Sequence, residues 1–121
     1  MDNQSKRILI CDDSILARKS LKAMLAEYGY SNILEVSNGQ DAVDTCIKEK
    51  PDLVLLDIVM PIKDGVSATR EIKESCPDTS VVIISSVGTQ NYITEAIKAG
   101  AKDFLQKPID ADLLQQVLKN S

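Results

Sequence analysis

Short aliphatic runs alternate with longer segments whose apolar residues recur every three or four positions. "RILIC" (Arg7 to Cys11) lacks in-out alternation and predicts a first strand buried on both faces. From Ser14 to Tyr28 the period changes. Ala17, Leu21, Met24, Leu25 and Tyr28 line one side of a helix, which Gly29 closes. "ILEVS" (Ile33 to Ser37) alternates more and predicts an edge strand. Asn38-Gly39 then turns into a second helix, with Ala42, Val43, Cys46 and Ile47 at core spacing and Pro51 at its exit.

The third strand, Leu53 to Asp57, runs through four aliphatic residues and stops on a carboxylate. A helix from about Gly65 to Cys76 follows, ended by Pro77. "VVIIS" (Val81 to Ser85) is the fourth strand, and the next helix carries Ile93, Ala96 and Ile97 before Gly100. "DFLQ" (Asp103 to Gln106) is a short fifth strand, broken by Pro108. Asp110 caps a last helix expected to turn Leu113, Leu114, Val117 and Leu118 inward.

Five strand-then-helix units with near-continuous apolar strands predict a doubly wound α/β fold, a parallel sheet with helices on both faces. Right-handed crossovers bring every strand's carboxyl end to one rim, where open sheets of this kind bind ligands. The residues delivered there are Asp12 and Asp13, Asp57, Ser85 and Ser86, and Lys107.

Composition narrows the choice. The 121 residues suit one compact domain spanning 1–121, with no repeat or linker inside it. Hydrophobic residues are 44% and aromatic residues 3%, so the core is aliphatic. A net charge of -4 argues against binding nucleic acid or an anionic membrane. With no His, the chain is not a histidine phosphocarrier, and metal sites must use oxygen or thiolate donors. Cys11, Cys46 and Cys76 are odd in number and form no C-x-x-C pair, as expected of buried, reduced thiols. The polar "MDNQSKR" start and the lack of a bilayer-length apolar stretch predict a cytoplasmic protein.

Three crowded carboxylates are unstable alone, since two charges about 4 Å apart repel by roughly 4 kcal/mol at an effective dielectric near 20. A hard divalent cation relieves them, and a carboxylate, carbonyl and water site suits Mg²⁺ or Mn²⁺. Lys107 adds a mobile positive charge and Ser85 a hydroxyl donor, which makes Asp57 a candidate nucleophile toward phosphorus. Plainer roles exist for each residue. Asp12 and Asp13 can cap a helix, Asp57 can form a turn, Ser85 can satisfy backbone, Lys107 can be a solvated charge and Phe104 ordinary core.

"CDDS" (Cys11 to Ser14), "LLDIVMPIKDG" (Leu55 to Gly65), "VVIISS" (Val81 to Ser86) and "GAKDFLQKP" (Gly100 to Pro108), in that order and spacing, resemble the receiver domains of two-component response regulators over essentially the full length. The resemblance implies the flavodoxin-like strand order 2-1-3-4-5. It implies that Asp57 accepts a phosphoryl group from a sensor histidine kinase, a histidine phosphotransfer protein or a small phosphodonor. Asp12, Asp13, Asp57 and the Val59 carbonyl would hold Mg²⁺, and Lys107, before a cis bond to Pro108, would pair with the phosphoryl oxygens. Ser85 would be the hydroxyl switch and Phe104 the aromatic switch. They would act on a partner-binding face of helix four, strand five and helix five that includes Gln90, Tyr92, Glu95, Lys102 and Gln106.

Two departures matter. In that family the positions of Val59 and Val87 border the path of the attacking water, and two aliphatic side chains there would not orient it, so slow self-dephosphorylation is expected. A stand-alone, monomeric, chemotaxis-type regulator acting on a downstream output protein is the first expectation. A phosphorelay intermediate and the receiver of a DNA-binding regulator are the alternatives. From other classes, a flavodoxin-type cofactor binder would need a Gly- and hydroxyl-rich loop where this chain has "DDS". A metal-dependent phosphatase with an Asp nucleophile would need an acid at position 59. The receiver reading makes the protein no enzyme beyond its own phosphorylation and dephosphorylation.

Overall fold

The computed structural model describes residues 6–86 and 91–120. Strands and helices alternate as β1 Ile8–Cys11, α1 Ile15–Glu27, β2 Ile33–Val36, α2 Gly39–Glu49, β3 Leu53–Asp57, α3 Gly65–Ser75, β4 Ser80–Ser85, α4 Asn91–Ala99, β5 Asp103–Gln106 and α5 Ala111–Lys119. All strand pairs are parallel, in the order β2-β1-β3-β4-β5.

Alternation within the three central strands splits the core in two. Ile8, Ile10, Leu53, Leu55, Val82 and Ile84 meet α1 and α5 through Leu21, Leu25, Leu114 and Leu118. Leu9, Val54, Leu56, Val81 and Ile83 face α2, α3 and α4 through Val43, Cys46, Ala68, Ile72 and Ala96. Both faces are thus covered, which is why these strands read as unbroken aliphatic runs. β2 pairs only with β1 and is half-buried, as its alternation predicted.

Each helix start whose cap is described has a side-chain acceptor. Ser14 Oγ takes the Ala17 amide, Asn38 that of Asp41, Asp64 that of Ser67, and Asp110 those of Asp112 and Leu113. Such caps contribute about 1 kcal/mol apiece. Gly29 leaves α1 in the left-handed conformation, at φ 89°.

Three helical positions correct the sequence reading. Ile47 is 49% exposed and Leu113 52%, and Ile97 is exposed too. Each is the immediate neighbour of a buried residue, Cys46, Leu114 and Ala96 respectively. One residue is 100° of rotation in a helix, which carries each of these side chains off a narrow buried stripe. No helix among the described residues is long and apolar enough to cross a membrane.

Candidate functional site

The parallel ladders set which residues meet. Cys11 pairs with Leu56, so the next residue on each strand, Asp12 and Asp57, stand side by side. Asp57 pairs with Ile84, placing Ser85 just beyond it, and Ser85 pairs with Gln106, the residue before Lys107. The Lys107 amide donates to the Ser85 carbonyl at 2.7 Å, which fixes where the lysine leaves the sheet. Its peptide bond to Pro108 is cis, as expected.

At this rim the ammonium of Lys107 bridges two carboxylates, with Nζ 2.9 Å from Asp12 Oδ2 and 3.0 Å from Asp57 Oδ2. Asp57 Oδ1 accepts the Val59 amide at 3.0 Å, and Asp12 Oδ1 accepts that of Ser14 at 2.9 Å. Asp12 and Asp57 are buried, while Asp13 is exposed and makes no hydrogen bond among the described residues. All three carboxylates offer an oxygen within 4.8 Å of the others.

Charge and burial oppose each other here. Burial, aided by the Asp12 charge, raises the Asp57 carboxyl above its ordinary value, although the Val59 amide and Lys107 both pull it down. Burial pulls Lys107 down, but its bonds to Asp12 and Asp57 outweigh this and leave it raised. The ammonium therefore stays charged between its two partners.

The plainer roles fare unevenly. Ser14, not Asp12 or Asp13, is the N-cap of α1. Lys107 is engaged in two ion pairs rather than solvated. Phe104, expected as core if not a switch, is 43% exposed on β5. Ser85 is fully buried, and its hydroxyl has no hydrogen-bond partner among the described residues. An unpaired buried hydroxyl costs about 1–3 kcal/mol, and among the described residues Ser85 is the one buried side chain that bears this cost. Tyr92, Glu95, Lys102 and Gln106 are exposed on the expected face, whereas Val87 and Gln90 lie outside the described residues.

Close packing holds the loop after Asp57 down. A Cβ on Gly65 would fall 2.6 Å from Ile58 Cα and 2.7 Å from the Asp57 carbonyl oxygen. A Cβ on Gly39 would fall 1.9 Å from the Lys63 carbonyl oxygen. Lys63 also pairs with Glu71. In the same loop Ile62, 81% exposed, takes a left-handed φ of 70°, unfavourable for a β-branched residue.

Sequence reasoning missed Arg18. Its guanidinium donates to the Asp12 carbonyl at 2.6 Å and pairs with Glu35 at 3.3 Å, tying the end of β1 to β2. The available signal was a cation one helical turn beyond the "DDS" start of α1.

A doubly wound sheet with an acidic triad, a bridging lysine and a buried serine hydroxyl on its carboxyl rim defines an α/β domain whose site is built at the strand ends. The model of the response regulator receiver domain family matches residues 8–119, and the chain belongs to that family. It is 38% identical over 115 residues to the chemotaxis protein CheY of Bacillus subtilis, covering 95% of this chain and 96% of that one. It is 40% identical over 113 residues to CheY of Thermotoga maritima, covering 93% and 94%. Among solved structures it is similar to the receiver domain of the sensor histidine kinase PA1611 of Pseudomonas aeruginosa. The TM-score is 0.85 at 30% identity with 95% of each chain covered, and that domain was solved with a magnesium ion in its active-site cleft. The chain is a CheY-like receiver of two-component signalling.

Proposed function

We propose that Asp57 is the phosphoacceptor of a single receiver domain spanning 1–121, with Asp12, Asp13, Asp57 and the Val59 carbonyl as the ligands of Mg²⁺. The donor set fits this ion, being three carboxylates with oxygens within 4.8 Å and no His or thiolate among them. Mn²⁺ shares the same preference. When bound, the metal supplies positive charge against the phosphoryl oxygens and between the carboxylates.

The chain's own groups do the rest. An oxygen of Asp57 forms the new bond to phosphorus as the donor's P–N bond (histidine) or P–O bond (acyl phosphate) breaks. Lys107, raised and charged, is placed to exchange its carboxylate partners for phosphoryl oxygens. The buried Ser85 hydroxyl, unpaired among the described residues, donates to the same group, and this is the observation that carries the reading. Its move toward the phosphoryl group draws β4's exit inward, and Phe104, exposed on β5, has room to follow. The shifted α4-β5-α5 face then binds a downstream output protein. We assign the phosphodonor to a sensor histidine kinase or histidine phosphotransfer protein, the locale to the cytoplasm and the resting state to a monomer.

A phosphatase reading lacks support at position 59. Val59 offers Asp57 only its backbone amide, with no acid to protonate a leaving group. The test is direct. After incubation with acetyl phosphate and Mg²⁺, the intact protein should gain the mass of one phosphoryl group, and Asp57→Asn should not. No gain in the wild type, or a gain that survives Asp57→Asn, overturns the assignment.

A further inference from the structure

At the end of the sheet remote from Asp57, two cysteines meet. Cys46 lies in the last turns of α2, and Cys76 caps the carboxyl end of α3 through its amide bond to the Ile72 carbonyl. The Cys76 thiol rests on the Cys46 carbonyl, with Sγ 3.3 Å from the oxygen, and both residues belong to one apolar cluster. Their surroundings differ. Cys46 is sealed, and burial first, then the neighbouring Cys76, pushes its thiol from the ordinary 9.0 up to about 12. Cys76 borders a recess of about 200 Å³ that it shares with Lys50, Asp52 and Thr79. The third thiol belongs to the same apolar cluster but makes its contacts elsewhere. Cys11 lies at the opposite rim beside Asp12, fully buried, its sulfur 3.2 Å from the Asn38 carbonyl and 3.0 Å from Met60 Sδ.

We propose that Cys46 and Cys76 form a dithiol that hydrogen peroxide closes to an intramolecular disulfide, stapling α2 to α3. Cys76, at the recess, reacts first. Its sulfur bonds to one peroxide oxygen, the O–O bond breaks, and the departing hydroxide takes a proton and leaves as water. The sulfur is then a sulfenic acid. The Cys46 sulfur attacks it, the S–S bond forms and the S–O bond breaks, and the departing hydroxide takes the Cys46 proton. Two thiols lose two electrons and two protons, and one peroxide becomes two waters. Burial keeps the Cys46 thiol protonated and makes it the slower nucleophile of the two, so the first oxidation falls to Cys76 at the recess. Disulfides inside cells are mostly of this transient, sensing kind. The two residues are thirty positions apart, and the closed ring contains β3, Asp57 and the loop that follows.

The experiment treats the reduced full-length chain with hydrogen peroxide, removes the oxidant with catalase, alkylates under denaturing conditions and maps the peptides. The expected product lacks two hydrogens and carries a Cys46–Cys76 cross-linked peptide. Its alkylatable thiols fall from three to one, the survivor being Cys11. It melts at a higher temperature than the reduced form, and dithiothreitol reverses the gain. In Cys46→Ser the reaction should stop at Cys76 sulfenic acid, trapped by dimedone. Four results each overturn the proposal: all thiols surviving in the folded wild type, a cross-link through Cys11, a cross-link only between chains, or Cys76 oxidised to sulfinic acid while Cys46 stays alkylatable. The wild-type peptide map decides the matter even if the serine variant folds poorly.

Discussion

Replacing Lys107 with methionine preserves most of the side chain's length and removes its charge. In the wild type that charge lies 2.9 Å from Asp12 and 3.0 Å from Asp57. Without it, two buried carboxylates with oxygens no more than 4.8 Å apart face each other. At that separation they repel by about 3.5 kcal/mol for an effective dielectric of 20. The lysine side chain is about a third exposed, so water screens part of this, and a net loss of about 2 kcal/mol is expected. At roughly 4 °C per kcal/mol for a chain of this size, the melting temperature falls by about 8 °C in metal-free buffer. Magnesium should close most of this gap. With no ammonium competing for Asp12 and Asp57, Lys107→Met should bind Mg²⁺ about tenfold more tightly, a gain of about 1.4 kcal/mol. Thermal melts across a Mg²⁺ series after chelator treatment read both numbers, since preferential binding to the folded state raises the melting point. A deficit undiminished at saturating Mg²⁺, or weaker Mg²⁺ binding by the variant, would refute the view that lysine and metal share these carboxylates.

Asp13, exposed and free of hydrogen bonds among the described residues, should cost within about 0.5 kcal/mol when changed to Ala without metal. The same variant should lose the Mg²⁺-dependent rise in melting temperature, and an undiminished rise would remove Asp13 from the ligand set. Val59→Asn offers a polar side chain where the aliphatic one holds no water, so loss of the phosphoryl group should speed up about tenfold. A phosphate-release time course after acetyl phosphate charging checks this, and an unchanged lifetime contradicts it. Ile62→Gly relieves a left-handed β-branched residue and should stabilise the protein by about 1 kcal/mol in urea titrations. A lower urea midpoint would show that the Ile62 side chain makes contacts worth more than the strain it imposes.

The sheet was legible because strands buried on both faces leave uninterrupted aliphatic runs, and the site because each run stops at a group that carries chemistry. Asp12, Asp57, Ser85 and Lys107 needed only topology to converge. The outward faces of the helices were less legible. Ile47, Ile97 and Leu113 fit a three-to-four spacing as well as their buried neighbours do, and a helix of about ten residues is too short for periodicity to choose between them. Phe104 faces out because β5 is an edge strand of which only Leu105 is buried, and strand position is a property of the whole sheet. Arg18 left only a faint local signal, a cation one turn into α1, because its pairing with Glu35 depends on β2 lying beside β1.

Asp57 stands on the middle strand, and the strand on either side ends in a polar group beside it, Asp12 on β1 and Ser85 on β4. Its geometry is therefore ruled by main-chain pairing, which does not depend on which side chains decorate the outside of the bundle. Outer helical surfaces can be rewritten to address a new listener while the chemical centre keeps its alignment. A single scaffold of this design can thus carry many separate conversations.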